Sequence, residues 1–175
     1  MACTQPNLVK GAVPNVIPVN ISGASASEAH RRLFVSDNPE YITTAISFSP
    51  GGFATLWHDE ATATGKIAYR IFLWHVNELS QAIKVGITIG NGSSTDTYQV
   101  QNLRLQAGRS PGEFASFAAL GICCAKALVG NTLDAATPVD ASISPNTVGL
   151  VREFVFNPNV LLGAVVEFDL VNITS

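Results

Sequence analysis

The feature that most constrains the fold is a succession of short β-rich segments cut apart by turn formers. "YITTAISFS", "GFATLWH", "KIAYRIFLWHV", "AIKVGITIG", "TYQVQNLRL", "GLVREFVF" and "VLLGAVVEFDLVNI" are separated by clusters of Gly, Pro, Asn, Ser and Asp. This pattern specifies an all-β fold, an antiparallel β-sandwich or jelly roll. Between "AIKVGITIG" and "TYQVQNLRL", Asn91-Gly92 suits a tight connector because both residues tolerate positive φ.

One segment departs from the β pattern. In "RSPGEFASFAALGICCAKALVGN", Ser110, Pro111 and Glu113 have the spacing of a capping box, and Gly130-Asn131 supplies a stop, which predicts one short helix over residues 111 to 129. Phe114, Phe117, Leu120, Cys124 and Leu128 would form its buried stripe; an irregular apolar loop is the alternative.

The N-terminal segment carries a different message. From Val9 to Ile21 the odd positions, among them Val9, Val13, Ile17, Val19 and Ile21, are mainly apolar, and Pro14 and Pro18 fall on even positions. Backbone groups of alternate residues point to the same edge of a strand, so the two prolines remove donors from one edge and leave the other intact. Such a strand pairs fully on one side only. It is either an edge strand of its own sheet or an arm that completes the sheet of a neighbouring subunit. The chain thus divides into a connector or edge strand over residues 1–22 and a single β-sandwich domain over 23–175, with "SGASASEA" as a flexible hinge.

Charge narrows the partners. Charged residues make up 13% of the chain, about half the usual share, while 47% are hydrophobic. A surface so poor in charge favours association with copies of itself or with an anchoring surface protein. The net charge of -3 and the scattered Lys and Arg provide no basic stripe for nucleic acid. The longest apolar runs fall short of the ~20 residues that a spanning helix needs, so no transmembrane segment is expected. "MACTQPNLVKGAV" has no signal-peptide pattern.

Two tripeptides Leu-Trp-His, at 56–58 and 73–75, suggest a metal or catalytic pair. A hairpin of residues 52 to 61 with 66 to 75 would place His58 opposite Tyr69 and His75 opposite Gly52, separating the imidazoles by roughly 20 Å. Metal ligands sit within about 2 Å of the ion, so the two cannot share one. His30 adds no recognised ligand spacing, and neither a G-x-S-x-G elbow nor an H-E-x-x-H helix is present. No cofactor, metal or enzymatic activity is expected. The same hairpin would put Trp57 and Trp74 on one face about 13 Å apart, the platform of an alternative function, a surface module binding carbohydrate or another surface ligand.

The three cysteines are Cys3 and the adjacent pair Cys123-Cys124. A helix turns neighbours about 100° apart, so the pair is poorly placed to bond itself, and Cys3 is the better partner for either member. The odd count leaves at least one thiol free or paired between molecules; three reduced cysteines are the alternative.

The blocks "RLFVSDNPEYIT", "GFATLWHDEATATGKIAYRIFLWHVNE" and "IKVGITIGNGSS" resemble a β-domain of surface and envelope proteins of endospore-forming bacteria. The unsignalled start, Cys3 and the pair Cys123-Cys124 resemble, more weakly, the jelly-roll subunits of endospore appendages, although those tend to carry their paired cysteines near the N-terminus. The resemblance implies a self-assembling structural subunit of an extracellular or spore-surface fibre, joined by N-terminal strand addition and by disulfides from Cys3 to Cys123 or Cys124.

Overall fold

A computed structural model describes residues 30–62 and 65–174. The connector over residues 1–22, with Cys3, Val9, Val13, Ile17, Val19 and Ile21, lies outside the described residues. The elements are β1 (Arg32–Ser36), β2 (Tyr41–Ile42), β3 (Lys66–Asn77), β4 (Ile83–Gly90), β5 (Tyr98–Ser110), α1 (Phe117–Val129), β6 (Asp134–Ala135), β7 (Ser142–Ile143), β8 (Val148–Phe156) and β9 (Leu161–Asn172). The fold is all-β and sandwich-like, with one short helix, as the punctuated strand pattern predicts.

The larger sheet has seven strands in the order β1-β3-β9-β5-β6, with β2 also on β3 and β7 also on β5. β1 and β2 run parallel to β3, and the remaining pairs are antiparallel, so this sheet is mixed. The second sheet holds β4 and β8 alone, antiparallel, with a bulge opposite the Ile87–Thr88 step.

β9 is the central strand, and its residues from Leu161 to Leu170 are all buried. Its even positions, Leu162, Ala164, Val166, Phe168 and Leu170, enter the core between the sheets together with Ile71, Leu73, Val85, Ile87, Val151, Phe154 and Phe156. Each large side chain fully buried there contributes about 1.5–3 kcal/mol. The odd positions face the other side, where α1 covers Leu161. Gly108 and Gly163 are paired across β5 and β9, leaving a bare patch for the helix. An added Cβ at Gly163 would stand 2.8 Å from Trp74 and 2.9 Å from Leu120, and one at Gly108 would collide with Phe114 and Leu120.

The helix is shorter than the capping-box reading predicts. Ser110 closes β5, and α1 begins at Phe117 with Ser116 as N-cap, its Oγ accepting from the Ala119 N–H at 3.2 Å. Glu113 instead reaches back to β5, accepting from the Arg109 N–H at 3.0 Å. The stop holds: Gly130 N–H donates to the Lys126 carbonyl, and Asn131 takes the positive φ of 53° that ends the helix. The buried stripe is Ala119, Leu120, Cys123, Cys124 and Ala127, whereas Phe117 is exposed.

The hairpin of residues 52 to 61 with 66 to 75 does not form. β3 pairs with β9 on one edge and with β1 and β2 on the other, and residues 43 to 62 contain no strand. Tyr69 lies beside Arg32 and Phe168, not His58. Of "YITTAISFS" only Tyr41 and Ile42 pair. The turn chemistry at Asn91-Gly92 also differs. Asn91 does not adopt positive φ; its side-chain amide donates to the carbonyls of Asp96, Ile143 and Ser144 and its Oδ1 accepts from Ser93. The buried amide thereby fastens a connection between two sheets, since β4 and β5 are not neighbours.

Candidate functional site

Main-chain edges come first, because a sheet edge is a binding site made of backbone donors and acceptors. β4 alternates its side chains strictly, with Val85 and Ile87 buried, Ile83 and Ile89 half-buried, and Lys84, Gly86, Thr88 and Gly90 exposed or nearly so. One edge of β4 pairs with β8; the other is unpaired among the described residues.

The direction of the β4 backbone groups can be read from its partner. Leu150 uses its N–H on Asp140 Oδ2 at 2.7 Å and its carbonyl on the Asp140 N–H at 2.8 Å. Both groups therefore point away from β4. In an antiparallel pair, directly opposed residues either both face each other or both face away, so Thr88, opposite Leu150, turns its N–H and C=O to the open edge. Val155 agrees: its carbonyl accepts from Arg109 Nε at 2.8 Å, away from β4, and it lies opposite Lys84. Lys84, Gly86, Thr88 and Gly90 thus present the open edge, while Ile83, Val85, Ile87 and Ile89 bond to β8.

The two neighbouring cysteines differ in environment. Cys123 is fully buried and is not free. Cys124 is a buried free thiol, 3.9 Å from the Gln106 carbonyl, and burial pushes its pKa up to about 11. A thiol so raised is a poor nucleophile at neutral pH. Cys3 lies outside the described residues.

His75 and His58 play separate parts, and the structure joins neither to a third ligand. His75 is fully buried, with Nδ1 2.9 Å from the Pro39 carbonyl and Nε2 2.9 Å from Ser36 Oγ. A carbonyl only accepts, so Nδ1 carries the proton and Nε2 of the neutral ring accepts from Ser36. Burial lowers the pKa of His75, outweighing the opposing effects of the Pro39 carbonyl and Asp37. His58 is exposed, with Glu60 4.0 Å away. His30 is exposed at the start of the described chain. No group of three or more His, Cys, Asp or Glu able to hold a metal exists among the described residues.

The tryptophans do not share a platform. Trp74 packs on the helix side of the large sheet with Leu120 and Leu161, whereas Trp57 meets Phe34 edge-on, and Phe34 packs against the inter-sheet core. A cleft of about 490 Å³ is lined in part by His30, Arg32, Thr62 and Lys66. Its cations are committed elsewhere, Arg32 to Asp59 and Lys66 to Asp169.

Sequence reasoning missed the strongest polar feature. Glu167, fully buried in β9, receives Arg70 from β3 at 2.6 Å and Arg104 from β5 at 2.7 Å, with Arg31 at 3.3 Å. Asp169, two residues on, receives Arg31 at 2.9 Å and Asn102 Nδ2 at 2.8 Å. Burial alone would push both carboxyls up. The hydrogen bonds from Arg70 and Arg104 for Glu167, and from Asn102 with the Arg31 charge for Asp169, overcome it and hold both below the usual carboxylate range. The legible signal was two acids at alternate positions inside the apolar run "VLLGAVVEFDLV".

No helix among the described residues is long and apolar enough to cross a membrane. No family model, curated protein or solved structure matches the chain.

Proposed function

We propose that the chain is a structural subunit that polymerises with copies of itself into an extracellular or spore-surface fibre. The N-terminal strand, residues 9 to 21, would add to the sheet of the next subunit, with Val13, Ile17, Val19 and Ile21 filling its groove. The observation that carries this reading is the unequal sandwich. A two-stranded sheet faces a seven-stranded one, and the outer edge of β4 has no partner among the described residues. A strand that pairs on one side only and an edge that lacks a strand are complementary requirements.

In this reading the molecule is not an enzyme: its buried histidine is sealed from substrate by Ser36 and Pro39 and serves the fold. The surface-ligand alternative loses its main support with the separation of Trp57 and Trp74. Cys124, a buried thiol whose pKa is pushed up to about 11, is the poorer partner for Cys3, and a disulfide from Cys3 to Cys123 of the neighbour would lock the joint. Its formation passes two electrons and two protons to an external disulfide or to dioxygen.

Deleting residues 1 to 21 tests the reading directly. The truncated chain is expected to remain monomeric in sedimentation and to show no fibres by electron microscopy, whereas unchanged assembly would refute strand addition. Non-reducing gels of assembled material should show a ladder that collapses on reduction; a monomer band in both removes the covalent lock.

A further inference from the structure

Resting on the fibre reading, we infer that the incoming strand docks on the open edge of β4 and runs parallel to it. The acceptor geometry and the donor sequence each restrict direction, and together they leave one arrangement.

The acceptor presents the backbone groups of Lys84, Gly86, Thr88 and Gly90 at its open edge, while the side chains that enter the core belong to Ile83, Val85, Ile87 and Ile89. The donor carries its apolar side chains on odd positions, and its complete set of backbone groups also belongs to odd positions, because Pro14 and Pro18 are even. In an antiparallel pair, residues that bond across the gap stand directly opposite and share a face. Odd donor residues would then face Lys84, Gly86 and Thr88 and turn Val13, Ile17 and Val19 to solvent. Using the even donor edge instead would bury the apolar residues but set Pro14 and Pro18 on the ladder without their N–H groups.

A parallel pair resolves the conflict. There a residue bonds to the two neighbours of the residue beside it, and that flanking residue faces away. Odd donor residues can bond to Lys84, Gly86 and Thr88 while lying beside Val85 and Ile87, on the core side. Every donor N–H on the ladder is present and the apolar side chains on odd positions are covered, while Ala12 and Val16 face out. β4 offers eight residues, against five for β1 and two for β6 at the ends of the large sheet. Gly86 and Gly90 add no bulk on its outer face.

The test uses full-length protein. Thr88→Pro removes an N–H that β8 does not use, so the variant should keep its fold by circular dichroism yet raise the critical concentration for assembly at least tenfold. A benzophenone side chain placed at position 12 or 20 is then photolysed in fibres grown from mixed ¹⁴N and ¹⁵N subunits. Parallel docking predicts mixed-isotope products, with position 12 linking to the Lys84 end of β4 and position 20 to the Gly90 end. Reversed ends, or links to β1, would overturn the assignment while leaving the fibre reading intact. Products of a single isotope would show the arm folding onto its own chain and overturn both. Should Thr88→Pro unfold the protein, the crosslinks alone decide.

Discussion

At the scale of single residues, stability rests on two buried polar arrangements that respond to acid in different windows. Glu167 and Asp169 titrate below their unfolded values, so their contribution is complete above about pH 4 and is lost as pH falls through the folded values. His75 is held neutral, so the unfolded chain binds its proton first. That stability is complete above about pH 6.5 and declines as pH falls below it. The urea midpoint should therefore fall in two stages on acidification. His75→Gln should flatten the first stage and leave the second, and a first stage that persists in this variant would exclude His75 as its source. Glu167→Gln should cost about 2–3 kcal/mol at neutral pH, less than a fully buried pair, because Arg70 and Arg104 remain partly solvated. Urea unfolding at unchanged m-value measures it.

At the scale of elements, the docking of α1 depends on two absent side chains. Gly108 and Gly163 let Leu120, Phe114 and Trp74 close on the sheet. Gly163→Ala must displace Trp74 or Leu120, an overpacking expected to cost about 1–3 kcal/mol. Cys124 reports the result: protected in the parent, it should react with a thiol reagent at least tenfold faster in the variant at neutral pH, and equal rates would show that the helix seat does not need the glycine. The strands β3, β4, β5, β8 and β9 were legible because each carries enough β-branched and aromatic residues to impose the period. The helix start was not. Ser110, Pro111 and Glu113 match a capping box by spacing, but Glu113 bonds the Arg109 backbone and Ser116 takes the cap. Spacing alone does not say which donor a carboxylate will find. "GFATLWH" failed for a related reason: Trp57 finds its aromatic partner in Phe34 without any strand pairing.

At the scale of the whole molecule, the sequence showed that strands dominate but not how they are ordered. β3 and β9 are neighbours across about ninety residues of chain, and nothing local distinguishes that pairing from a hairpin with the preceding segment. The acid cluster was hidden for the same reason, since Arg70, Arg104 and Glu167 converge only once β3, β9 and β5 are adjacent. The one-edged character expected of residues 9 to 21 rests on proline parity and lies outside the described residues; in the proposed reading β4 supplies an edge of matching parity. Amide hydrogen exchange reads that parity without requiring a fibre. In a chain lacking residues 1 to 21, the N–H groups of Val85 and Ile87 bond to β8 and should exchange slowly, while those of Gly86 and Thr88 face water and should exchange about 100-fold faster or more. In fibres of the full chain, Gly86 and Thr88 should slow to match their neighbours. Equal protection of all four amides in the truncated chain would mean that β4 already has a partner on its second side, leaving no edge for an incoming strand to complete.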